Sequence, residues 1–233
     1  QLIHLQFTAA DFTDTAWANL MNSATLQAQS HGSQPSDVFS DKIIQLLYGD
    51  NIRKRPLTMG FLEKINPQAA EQVFTQRFAD AGDFTFIFTG DFNQEEMLEL
   101  AATYLATLPA TNSQEKAVWR EVDFPKGINK AVVTKGLEEQ SQVFIAFGGE
   151  LPTVDAATAY QESEMLSMLQ NLLDIRLREV VREEKGGTYN VSVSASMELY
   201  PQRSFMVEIL FGCQPGREQE LTDAILEEVE NLR

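Results

Sequence analysis

One cysteine, two histidines and a minority of basic residues leave this 233-residue chain short of the usual means of doing chemistry. A lone Cys213 cannot close an internal disulfide, and its place in an apolar alternating run marks it as a buried thiol. A hydrolytic zinc site needs three protein ligands beside its water. His4 and His31 are far apart, and neither has a second His or an acid at helical ligand spacing. No Gly-x-Ser-x-Gly elbow, phosphate loop or dinucleotide fingerprint is present. No apolar run approaches the roughly 20 residues of a membrane helix. With 18 Lys and Arg against 34 Asp and Glu, the formal charge is −16. That balance argues against nucleic acid and anionic lipid as partners, because phosphate contacts need clustered cations. Arg53-Lys54-Arg55, the one concentration of positive charge, reads as a solvated linker ahead of Pro56.

What is there is a globular composition, 43% hydrophobic and 22% charged, in a chain long enough for one large domain or one domain plus a piece of another. The acids fall in scattered doublets (Glu95-Glu96, Glu138-Glu139, Glu183-Glu184, Glu227-Glu228), as expected of solvated faces. Gln1-Leu2-Ile3-His4-Leu5 has neither an initiator Met nor a basic n-region, so no signal peptide is visible. The chain reads as beginning inside a longer polypeptide.

Periodicity predicts a helix over 14–31, with Asp11 or Thr13 as cap, and a second around Phe39 to Leu47 that ends at Gly49. Asn66-Pro67 starts another helix, a capping side chain followed by proline at the first helical position. Phe84-Thr85-Phe86-Ile87-Phe88-Thr89 has the composition of a strand. Asn93 caps a helix with Glu95 and Glu96 in its first turn, where the dipole favours acids. After a polar connection over 110–129, strands are expected near 131–135 and 142–148, the second bounded by a Gly148-Gly149 turn. A long helix follows from about Asp155 to Arg182, with Leu166, Leu169, Leu173, Leu177 and Val180 on one face. Thr188 to Met197 and Phe205 to Phe211 form an antiparallel pair, and a last helix carries Leu221, Ile225 and Val229. From Asn66 the order is α-β-α-β-β-α-β-β-α. It predicts an α+β fold: a layered domain whose mostly antiparallel sheet is covered by helices. The expected division is residues 1–56, the helical tail of a preceding α+β repeat, and residues 57–233, the domain itself.

One stretch pairs two side chains in a defined local geometry. Arg182 ends the long helix, Gly186-Gly187 turns the chain, and Tyr189 opens the strand. By residue type, Arg182 brings a fixed charge with five donors and Tyr189 a hydroxyl. The bland alternative is an Arg182 paired with Glu179 or Glu183 and a Tyr189 that only packs.

Leu177-Arg178-Glu179-Val180-Val181-Arg182-Glu183-Glu184-Lys185-Gly186-Gly187-Thr188-Tyr189 resembles the helix–turn–strand signature of the pitrilysin/insulinase-type zinc peptidases. Phe86-Ile87-Phe88-Thr89-Gly90-Asp91-Phe92-Asn93 and the helix ending Leu105-Ala106-Thr107-Leu108-Pro109 resemble another segment of that family, and Pro56-Leu57 to Phe78 fits its lead-in helices. The resemblance implies repeated α+β domains in two bowl-like halves around a closed chamber. In that family an inverted zinc motif, His-x-x-Glu-His, and a distant glutamate lie in the amino-terminal half; this sequence contains neither. The resemblance therefore implies the carboxy-terminal, non-metal half, with no cofactor of its own and zinc in the other half. Met168-Leu169-Gln170-Asn171-Leu172-Leu173, in place of a glycine-rich loop, resembles the bacterial single-chain type, which implies a periplasmic location.

By the same resemblance Arg182 and Tyr189 occupy the positions that reach across the chamber to the substrate. The implied partners are a peptide or protein substrate and the amino-terminal half of the same polypeptide, without membrane insertion. The acidic balance would give the chamber a negative wall favouring cationic peptides. Relatives of the fold that have lost proteolysis serve as core subunits of a respiratory complex, so a structural scaffold is the competing reading. An independent module that adds a peptide strand to a sheet edge is a third.

Overall fold

The computed structural model of the chain describes residues 1–111, 118, 124–184, 186, 188–200 and 202–232; of 182–184, 188 and 189 only the backbone is described. Two compact units emerge, one from Gln1–Ser33 with Pro56–Ala117, the other from Gln34–Arg55 with Val118–Arg233.

The first unit is helical among its described residues: α1 (Leu2–Thr8), α2 (Asp14–Ser30), α4 (Met59–Leu62), α5 (Pro67–Phe78) and α6 (Gln94–Tyr104). Side-chain caps start most of these helices, as the sequence predicts. The Thr13 hydroxyl accepts from Ala16 N at 3.2 Å, Asn66 from Ala69 N at 3.0 Å, and Asn93 from Glu95 N at 2.9 Å. Each satisfies a donor that a helix amino terminus otherwise leaves free. Phenylalanines cluster against one another. Phe7 packs edge-on against Phe78 and Phe84, both at 4.9 Å between ring centroids, and Phe74 stacks on Phe78 at 4.2 Å. Asp80 is buried and accepts from Gly82 N, Thr111 N and the Thr111 hydroxyl, which closes the 80–111 segment on itself.

The expected strand at 84–89 is not formed. Phe84 is extended, but a strand exists only through its ladder, and no described segment pairs with this one. The same holds for 131–135, where Val132 is 90% exposed.

The second unit holds α3 (Pro35–Tyr48) and the sheet. Strands β1 (Ser141–Glu150), β2 (Thr188–Glu198) and β3 (Ser204–Cys213) pair antiparallel in the order β1-β3-β2. Period-two alternation sends Val207, Ile209, Phe211 and Cys213 to one face with Val191 and Val193. Against that face lie α7 (Ala156–Leu177), its continuation and α8 (Glu218–Asn231), through Leu173, Leu177, Val181, Leu221 and Ile225. This is the α+β layering read from the sequence.

Two expectations need correction. Leu169 is exposed rather than on the inner face of α7. The inner position belongs to Gln170, whose side-chain carbonyl accepts from Ala195 N at 3.1 Å. Gly148-Gly149 is not a turn; both residues lie within β1, opposite Met206 and Phe205. The Phe124 ring occupies the space a Gly148 Cβ would take, at 2.4 Å, so glycine is there for close approach and not for a bend.

Candidate functional site

The sequence-selected residues sit where regular structure is interrupted twice. After Leu177 the α-helical spacing gives way to wider π turns over Arg178–Glu184, so Arg182 lies in the π segment. Such turns are rare and frequently accompany functional sites. The chain then reverses at Gly186, whose φ of +56° suits glycine.

Beyond the turn, Thr188 pairs with Cys213 but Val191 pairs with Phe211, so Tyr189 and Asn190 together oppose the single residue Gly212. This is a β-bulge, a device that re-aims side chains beside active sites. Arg182 and Tyr189 thus flank one turn, each on an irregular piece of backbone. Their side chains lie outside the described residues.

The surroundings of this turn are pinned from below. Arg176 on α7 donates to Glu228 of α8 at 2.7 Å and to Glu179 at 3.4 Å. Glu179, one of the two acids the bland alternative offers Arg182, therefore has Arg176 as a partner. Glu228 is buried, and a buried carboxylate needs such a partner. Sequence reading missed this pair, though it carried a signal: Glu228 falls three residues after Ile225 and seven after Leu221, on the stripe that α8 buries. Arg203, also buried, donates to the Pro152 carbonyl and to Glu162 and ties the end of β1 to α7.

The electrostatics away from the core face are acidic. Ser194 donates to Glu208 at 3.0 Å on the side of the sheet opposite the helices. Burial, then Glu208 and Glu198, raise the Tyr48 phenol above its ordinary range. Cys213 is a buried free thiol, raised by burial and then by Glu218.

Among the described residues no three His, Cys, Asp or Glu side chains come together as metal ligands. His4 instead bonds through Nδ1 to the Tyr104 carbonyl at 2.9 Å. Zinc therefore has no fitting donor set in the described part of this chain. Nor is any described helix long and apolar enough to cross a membrane.

Comparison with known proteins covers most of the chain. Residues 64–233 match the family described as the peptidase M16 inactive domain. The zinc protease PQQL-like of Arabidopsis thaliana is 26% identical over 226 residues, which is 92% of this chain and 23% of that protein. The probable zinc protease PqqL of Escherichia coli K12 is 25% identical over 227 residues, 95% of this chain and 23% of that protein. The crystal structure of the periplasmic protease PqqL from Escherichia coli has a TM-score of 0.77 at 21% identity, over 94% of this chain and 24% of that one. The chain thus spans about a quarter of the length of these relatives.

Proposed function

This chain belongs to the peptidase M16 inactive domain family, and from that premise we propose that it is the substrate-binding, non-catalytic carboxy-terminal portion of a zinc metalloendopeptidase. In this reading peptides are hydrolysed in a closed chamber, zinc is held by the amino-terminal half of the same polypeptide, and residues 1–56 end a preceding repeat. Arg182 and Tyr189 contact the substrate. A bacterial periplasmic setting agrees with the periplasmic relative.

The observation that carries the reading is the coincidence of two interruptions with two predicted residues. A π segment holds Arg182 and a bulge holds Tyr189, on either side of the Gly186 turn. Regular helix and regular strand cost less to form, so irregularities at these two positions support a demand other than packing. The guanidinium supplies paired donors and the phenol one more, suited to a peptide carbonyl or to charge developing on it. Glu208 and Glu198 make the opposite face of the sheet acidic, which supports a wall that favours cationic peptide segments.

The test is peptide turnover by the full polypeptide carrying Arg182→Ala or Tyr189→Phe. Loss of one aimed donor should lower kcat/KM on the order of 10²-fold, with the melting temperature held. Matching losses of activity and stability would return both residues to packing. That the relatives are named as zinc proteases favours the peptidase over the scaffold reading. A reading frame without His-x-x-Glu-His upstream would reverse that preference.

A further inference from the structure

We infer that Phe84–Thr89 is a sheet strand whose partner strands come from the remainder of the relatives' longer polypeptide, outside these 233 residues. The segment has every local property of a strand except the ladder. Phe84 and Phe86 face one way, their rings stacked 6.3 Å apart and both against Phe7. That face is backed by α1 and α5 through Phe7 and Phe78. The alternate positions are Thr85, Ile87 and Thr89, all β-branched, the residue type that fits a pleated surface. Ile87 is 80% exposed.

The backbone of 85–89 makes no hydrogen bond to any described residue. Among the described residues five successive amides and carbonyls thus have no partner on an apolar segment that Phe84 enters in extended conformation, the arrangement that recruits another strand. A helix layer already covers one face, so the missing element is the sheet and not a second helix layer.

The occupant follows from size. The chain covers 23% of two curated relatives, which leaves ample polypeptide to supply strands in the same molecule. A second copy brings the same open segment without a sheet around it, and a substrate peptide would be required to complete a domain only while being cleaved. This inference rests on the family and on the backbone, not on the roles of Arg182 and Tyr189.

Hydrogen exchange decides it. In the full polypeptide, free of added peptide and dilute enough to be monomeric, the amides of 85–89 should exchange at least about 100-fold more slowly than in the 233-residue chain. Ile87→Lys should remove that protection in the full polypeptide, leave the amides of β3 protected, and leave the melting midpoint of the 233-residue chain unchanged. Fast exchange in the full polypeptide overturns the inference. So does protection that appears only on raising concentration, which would make the partner a second copy, or only on adding peptide, which would make it the substrate. A reading frame confined to these 233 residues overturns it as well.

Discussion

The two units are written in the same vocabulary of apolar stripes, caps and β-branched runs, yet only one closes a dry interior. Around the sheet, Leu177, Val181, Ile209, Phe211, Leu221 and Ile225 are sealed from solvent. In the helical unit the buried described residues are Ala28, Leu62, Leu108 and Asp80, while Leu20, Val73, Ile87, Leu98 and Leu100 remain more than half exposed. An apolar pattern specifies which face wants cover; it does not supply the cover. The sheet unit brings its own second layer, and in the helical unit that layer is absent from the described chain.

The contrast can be broken most forcefully at its strong end. Phe211→Ala should cost about 3–5 kcal/mol in urea denaturation, as for other large side chains lost from sealed cores. Phe78→Ala in the same chain should cost less than half as much; equal losses would erase the distinction between the units. Next comes the link between α7 and α8. Arg176→Ala strands the buried Glu228 carboxylate and should cost about 1–3 kcal/mol. Adding Glu228→Leu should restore most of it, because the carboxylate and not the gap is the burden.

Smaller still, Asn66→Ala or Asn93→Ala should each cost about 1 kcal/mol. The loss should show as faster exchange confined to α5 or α6, with the sheet amides untouched. The weakest effect is a pH dependence. Hydrogen bonding to Ser141, at 2.5 Å, holds Glu218 below the ordinary carboxylate range. A depressed folded value means this contribution is complete above the unfolded value, about 4.3, and fades as the pH falls through the lower folded one. Glu218→Gln should therefore flatten the acid limb of melting temperature against pH and leave its neutral region in place.

Local chemistry was legible wherever one residue decides the outcome. Asn66 and Asn93 cap the helices they were expected to cap, and Thr13 rather than Asp11 caps the third, because a side-chain oxygen two or three residues from a free amide needs no distant help. The β2–β3 pair was legible because alternation and a short turn fix it together. Features that depend on a neighbour were not. Phe84–Thr89 reads as a strand, but its ladder needs a partner that the segment's own residues cannot name. Gly148-Gly149 reads as a turn, since nothing in the sequence announces the Phe124 ring that explains Gly148.

The candidate site was found by resemblance. The π segment hides inside a run, Leu177, Val180 and Val181, that still scans as α-helical. The bulge at Tyr189-Asn190 is a matter of register against Gly212, visible only once the strands are laid side by side.

The bond from Ala195 to Gln170 has a consequence for anything that approaches β2 from its open side. That amide is already latched by a side chain reaching over from the helix. An extended client sliding along this border would have to pry the carboxamide loose to reach that amide.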